Sequence, residues 1–291
     1  MIEMKTDTFI EIGSQHKICE DYMISGDNYI ILADGCSSSE NSEMGARFLC
    51  YMAKRFLSDH RERKFNESFA TGLGDWVIYN SETLIRQLGL RKTCLDATLV
   101  VAYLKDNFVN IIMYGDGHII LQPEIESKYE IISVDYKSGS KSMPYYLRYI
   151  IDSQGRTMYH KAKVTKTISI DTIDQYSGVH HPISWELAYD IPLINSYPID
   201  DYKSISICSD GFGTFLTPEP DETGNKIIKV ENMVPAIFEF RNSTGVFLKR
   251  QMNLLQRRLR KADTPMEHFD DLSIGTFLKE ETPDADQSES K

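Results

Sequence analysis

The chain has 291 residues, 41% apolar and 11% aromatic, with a net charge of −11. This is length enough for one large domain or two small ones with a proper core, and the acidic balance argues against general nucleic-acid binding. No apolar run approaches the roughly 18 residues of a membrane span, and Met1-Ile2-Glu3-Met4-Lys5 carries no apolar signal core, so a cytoplasmic protein without a membrane partner is expected.

Residues 7 to 13 and 22 to 33 are predicted as the first strands. A helix is predicted over 42 to 58, with Ser42 as N-cap and Gly45, Leu49, Met52 and Phe56 along one side. A second, capped by Asn66, spans 66 to 88 and buries Phe69, Leu73, Trp76, Val77, Leu84 and Leu88. The period then changes to that of strands: 97 to 104 and 108 to 114 flank Lys105-Asp106-Asn107, a hairpin signal, and 118 to 122 continues the meander. Between 123 and 200 the pieces 130 to 134, 145 to 151 and 163 to 170 look strand-like, 174 to 181 looks like a loop, and His180-His181 reads as an exposed pair rather than a metal site. The region as a whole is expected to be an insertion or a flap facing substrate. Helices follow over 232 to 240 and 245 to 259, the second with a basic, solvated side (Lys249, Arg250, Arg257, Arg258). A last strand covers 272 to 278, and residues 279–291 form an acidic tail expected to be disordered.

Acids gather at the ends of these strands. Tyr29-Ile30-Ile31-Leu32-Ala33 runs into Asp34-Gly35, Ile205-Ser206-Ile207-Cys208-Ser209 into Asp210-Gly211, and Ile111-Ile112-Met113-Tyr114 into Gly115-Asp116-Gly117. Glu20-Asp21 and Asp270-Asp271 precede two further strands. A carboxylate at the tip of a buried strand has a stiff support, and a following glycine lets a ligand approach. Several such carboxylates meeting at one place would repel one another unless cations sat between them. The five cysteines are scattered and include no Cys-x-x-Cys, which points to free thiols and away from zinc. Cys19 and Cys36 lie beside the acids but read as packing residues rather than nucleophiles.

The order Cys19-Glu20-Asp21, Ala33-Asp34-Gly35 with Gly45-Ala46, Asp96-Ala97-Thr98-Leu99, Tyr114-Gly115-Asp116-Gly117, Ser209-Asp210-Gly211 and Asp270-Asp271-Leu272-Ser273 resembles the metal-dependent Ser/Thr phosphatases of the protein phosphatase 2C type, from about Phe9 to Phe277. The resemblance implies an α+β fold: a four-layer α-β-β-α sandwich of two antiparallel sheets flanked by helices, filling residues 1–278. It implies two Mg²⁺ or Mn²⁺ ions, with Asp34 bridging them, Asp210 and Asp270 completing one, and Glu20 and the Gly35 carbonyl holding the other. Asp21, Asp116 and Asp271 would support these ligands, and Asp34, Asp210 and Asp270 would be the catalytic set. The implied partner is a phosphorylated protein, the product of a Ser/Thr kinase.

Three departures accompany the resemblance. The family's phosphate-binding arginine falls on His16, next to Lys17, so these two are the candidate phosphate ligands. The histidine that follows Asp-Gly in some members is Cys36, and the acids that hold a third ion in some fall on Thr93 and Thr214. The competing expectation is a catalytically silent binding module that has kept the fold. An aspartyl-phosphate phosphatase is set aside, because Asp34-Gly35-Cys36 lacks the second Asp.

Overall fold

Every residue of Ile30-Ile31-Leu32-Ala33 is buried, so this strand must be covered on both faces. The computed structural model, which describes residues 3–125, 128–174, 183–216, 230–261 and 267–280, shows how. In chain order the elements are β1 (Met4–Glu11), β2 (Tyr22–Gly26), β3 (Tyr29–Ala33), α1 (Ser42–Asp59), α2 (Glu67–Gln87), β4 (Leu99–Lys105), β5 (Phe108–Tyr114), β6 (Gly117–Pro123), β7 (Lys128–Ser138) and β8 (Lys141–Ser142). Then come α3 (Ser153–Lys161), β9 (Thr165–Asp174), β10 (Ile183–Leu187), β11 (Leu193–Pro198), β12 (Tyr202–Cys208), β13 (Phe215–Leu216), α4 (Val230–Phe238), α5 (Phe247–Lys261), β14 (Glu267–His268) and β15 (Leu272–Lys279).

Two antiparallel sheets face each other. The larger has the order β1-β15-β12-β6-β7-β9-β10, with β8 on β7; the smaller runs β11-β5-β4-β3-β2. Side chains alternate faces along a strand. Ile30 and Leu32 of β3 therefore point inward with Val100, Ala102, Ile111 and Met113, and meet Ile119, Leu121, Ile205, Ile207 and Phe277 of the other sheet. Ile31, Ala33, Val101 and Ile112 point outward, onto Leu49 and Phe56 of α1 and Leu73 and Val77 of α2. On the far side, Ile120, Ile131 and Ile274 meet Val234 and Phe238 of α4 and Leu248 and Met252 of α5. The four-layer α-β-β-α sandwich is thus present.

The β4–β5 hairpin closes on Asp106 and Asn107 at φ 53° and 63°, the left-handed pair of a two-residue turn. Asn66 caps α2, its side chain accepting from the Phe69 N–H at 2.8 Å. At α1 the cap is Asn41, in the left-handed region, one place earlier than the sequence suggested, and Ser42 is the first helical residue. The strand expected over 145 to 151 is instead a 3₁₀ turn, Leu147–Ile150. Much of the 123–200 region widens the sheets: β7, β9 and β10 extend the larger one, and β11 pairs with β5. Helix α3, which periodicity did not reveal, begins at Asp152, whose carboxylate accepts from the N–H groups of Gln154 and Gly155. His180-His181 and the tail after Glu280 lie outside the described residues.

Candidate metal centre

Strand β3 delivers Asp34 to one end of the sandwich, and the residues leading into β4 clamp it there. The Thr98 N–H donates to the Asp34 carbonyl at 2.8 Å, the Asp34 N–H donates to Thr98 Oγ1 at 3.1 Å, and the Cys36 N–H donates to the Asp96 carbonyl at 2.8 Å. Gly35 is required at this place: a Cβ would come within 2.8 Å of the Glu20 carbonyl and 3.0 Å of the Ser42 backbone.

Strand β12 brings Asp210 to the same end, at the start of a 3₁₀ turn, Asp210–Gly213. Gly211 lies on the Asp271 backbone so closely that a Cβ would fall 1.8 Å from its carbonyl oxygen. The Ser209 N–H donates to the Ser273 carbonyl at 3.0 Å, tying the turn to β15. Asp270 and Asp271 lead into β15. Thr214 Oγ1 accepts from the Asp270 N–H at 3.3 Å, so this threonine supports Asp270 from behind. Thr93 lies in the short turn Lys92–Leu95, its carbonyl accepting from the Asp96 N–H.

Asp271, 2% exposed, organises the β1–β2 loop. Its Oδ1 accepts from the Gly13 N–H at 2.8 Å and its Oδ2 from the Glu20 N–H at 2.6 Å. His16, in that loop, turns its ring among acids: Nδ1 lies 3.1 Å from Asp271 Oδ2 and 3.3 Å from Glu20 Oε2, and Nε2 lies 3.3 Å from Asp270 Oδ1. Burial opposes a charge on His16, but Asp271, Asp270 and Glu20 outweigh it and raise its pKa. Lys17 is exposed.

The acids disturb one another. Burial pushes Asp34 well above the usual carboxylate range, and the charges of Asp21, Asp210 and Asp116 add to the effect. Burial also raises Asp21 and Asp116 strongly, with Asp210 contributing to both. Glu20 and Asp270 are raised chiefly by burial too. Both oxygens of Asp21 are shut from solvent without a hydrogen bond of normal geometry, although the hydroxyls of Ser209 and Ser273 bear on them, and Glu20 Oε2, near His16, also lacks a hydrogen bond. His16 is the one basic side chain among the described residues within ion-pair distance of these acids. Orphaned carboxylate oxygens in a cluster short of positive charge are what a hard divalent cation fits.

Among the described residues, one trio offers three ligand atoms within 4.8 Å of one another: His16, Glu20 and Asp271. Asp34 and Asp210 face each other, and Asp210 bears on Asp270, but these three do not close to that spacing. Burial, with Asp271 and Asp21 adding, pushes the Cys19 thiol up to about 12, which keeps it protonated and inert.

Two residues at this end escaped sequence reasoning. Tyr146 is 9% exposed, and its phenol is raised by burial, by the Cys36 thiol beside it and by Asp116 and Asp34. Arg148 is buried and ion-paired with Asp96 and Asp152, while Ser39 Oγ donates to the other Asp96 oxygen at 2.8 Å. The one signal was the polar Arg148 inside an otherwise apolar stretch, Tyr145-Tyr146-Leu147.

A family model for protein phosphatase 2C matches residues 14–255. The chain belongs to the protein phosphatase 2C family. Among solved structures it is similar to the catalytic domain of the serine/threonine phosphatase PstP in complex with two manganese ions, at 12% identity and a TM-score of 0.50, over 97% of this chain and 100% of that one. A variant of a bacterial serine phosphatase gives 12% identity and a TM-score of 0.51 over the same shares. The serine/threonine phosphatase Stp1 from Staphylococcus aureus gives 12% and 0.47 over 94% of each chain. At these identities the first two likenesses are ones of fold. No curated protein matches by sequence.

Proposed function

We propose that this protein is a metal-dependent phosphatase acting on phosphoserine and phosphothreonine in proteins. The observation that carries this is the convergence of Glu20, Asp21, Asp34, Asp116, Asp210 and Asp270 at one end of the sandwich, with oxygens of Glu20 and Asp21 lacking a hydrogen bond and the pKa values of Glu20, Asp21, Asp34, Asp116 and Asp270 raised. Two Mg²⁺ or Mn²⁺ ions would be held by Asp34, Asp210, Asp270, Glu20 and the Gly35 carbonyl. When bound, such ions supply a water that is nucleophilic at neutral pH and neutralise phosphate charge.

The chain's own part is to place these oxygens on strand ends and to hold them there. Asp271 fixes the loop that carries Glu20, and Thr98 fixes Asp34. Asp21 and Asp116, buried behind the ligands, would lose their protons and add negative charge as cations enter. His16, its pKa raised by its acidic neighbours against the effect of burial, and Lys17 are the candidate phosphate ligands. The substrate would be the product of a Ser/Thr kinase.

The test is hydrolysis of p-nitrophenyl phosphate and of a phosphothreonine peptide, with Mn²⁺ and with EDTA. Turnover should require the metal, and Asp34→Asn should lower kcat by at least about a hundredfold. Metal-independent turnover would refute the assignment. A second reading, a silent binding module, is favoured by one observation: where the family carries its arginine, His16 turns toward three carboxylates. Calorimetric Mn²⁺ binding with no hydrolysis of either substrate would select it.

A further inference from the structure

At the end of the smaller sheet opposite the acids lies a pocket of a different character. It is about 320 Å³ and lies between the β2–β3 turn, the end of α1, the loop into α2 and the β4–β5 hairpin. Lys54, His60, Arg61, Arg63 and Lys105 line it, and no acid does, in a chain whose net charge is −11. Among the described residues none of these five makes an ion pair.

The pocket is built rather than incidental. Lys105 Nζ donates to the Arg61 and Arg63 carbonyls at 2.6 and 2.7 Å, fixing the loop that presents both guanidinium groups. His60 stacks on Phe56 at 4.1 Å and spends its Nδ1–H on the Phe56 carbonyl at 2.9 Å, which fixes its ring at the end of α1. Tyr103, 7% exposed, lines the pocket from below, and its buried hydroxyl has no hydrogen-bond partner. Lys54 stands over the Tyr29 ring, and Phe69 and Leu57 complete an apolar wall. Asp106, whose charge bears on Tyr103, is the acid nearest that hydroxyl.

We infer that this pocket binds a small organic phosphate with a flat ring, of the nucleoside monophosphate class, at a site separate from the acid cluster. Cations without acids select an anion, and arginine forks suit phosphate oxygens. The volume, about ten waters at roughly 30 Å³ each, exceeds what an inorganic anion fills and reaches the range of small-molecule sites. The aromatic wall takes the ring.

The site is independent of the phosphatase assignment, and its test is arranged to stay so. The full chain is titrated calorimetrically with AMP, GMP, UMP and inorganic phosphate in EDTA, where a metal-dependent centre is silent. One nucleotide site per chain is expected, tighter than that for inorganic phosphate. Arg61→Ala with Arg63→Ala, both on the surface, should weaken it by at least about tenfold. Equal binding of phosphate and nucleotides, no binding at all, or binding that survives the double arginine variant would each overturn the inference.

Discussion

Asp271 shows how one side chain can decide whether a site exists. Its two oxygens accept the Gly13 and Glu20 N–H groups, and its Oδ2 also meets His16. Asp271→Ala would leave two N–H donors without acceptors in a buried place, at a cost of about 2–4 kcal/mol. Asp271→Asn keeps one carbonyl acceptor and should cost less than half of that, so the order of the two in urea denaturation checks the role. Lys166 poses the opposite problem. It is buried in the larger sheet, its Nζ donating to the Ile191 carbonyl at 2.5 Å and lying 5.5 Å from the Tyr136 ring centre. Burial pushes its pKa down to about 8, with Asp190 partly opposing. The folded protein therefore carries a penalised ammonium below that pH. Between about 8 and the ordinary 10.5 the folded state sheds the proton before the unfolded one does, so stability rises with pH across that window. Lys166→Met removes the penalty. The shift caps the gain at about 3 kcal/mol, less about 1 kcal/mol for the lost hydrogen bond. Melting curves at pH 7 and pH 10 should show the gain at the first and little at the second; a gain equal at both would contradict the burial argument.

The glycines of the first two helices separate contact from propensity. A Cβ on Gly45 would fall 1.7 Å from the Cys94 carbonyl, so α1 touches the turn before β4 through a bare backbone. Gly72 in α2 meets nothing within 4 Å. Gly45→Ala should destabilise by about 1–3 kcal/mol through overpacking, whereas Gly72→Ala should stabilise by roughly 0.5–1 kcal/mol through helix propensity. Opposite signs in thermal melts are the expected result. Sequence showed Gly45-Ala46 as part of a pattern but could not show that its neighbour is a carbonyl about fifty residues on. The strand ends at Asp34, Asp210 and Asp270 were legible because an Asp-Gly or Asp-Asp pair punctuates a buried apolar run. The 145–151 segment was not, since Tyr145-Tyr146-Leu147 has strand composition and only the pull of Asp96 and Asp152 on Arg148 sets its turn. The spacing of the acids was not legible either: it depends on how far the β1–β2 loop reaches across to Asp271, which no local pattern encodes.

At the scale of the molecule, the layers were implied by the family resemblance, with which the apolar strands and two pairs of helices agree, and the order of strands was not legible. β1 belongs to the larger sheet only through β15, with Met4 opposite Lys279 and Glu11 opposite Leu272. The bond from Gly13 to Asp271 spans 258 residues. The smaller sheet differs, since β2–β3 and β4–β5 are hairpins of neighbours. Local pairs form early and distant ones wait on loop closure. In refolding followed by pulsed hydrogen exchange, Val100, Val101 and Ile112 should be protected in an earlier phase than Lys5, Asp7 and Phe9, whose N–H groups face β15. Simultaneous protection of both groups would mean that the sandwich closes in one event. The order of events has a meaning for a chain during its own synthesis. β1 emerges from the ribosome long before β15, its neighbour in the sheet, so Glu20 waits for Asp270 and Asp271 while the chain between them is made. A nascent chain then holds no assembled centre, and whatever that centre does begins only once β15 is free to clasp β1.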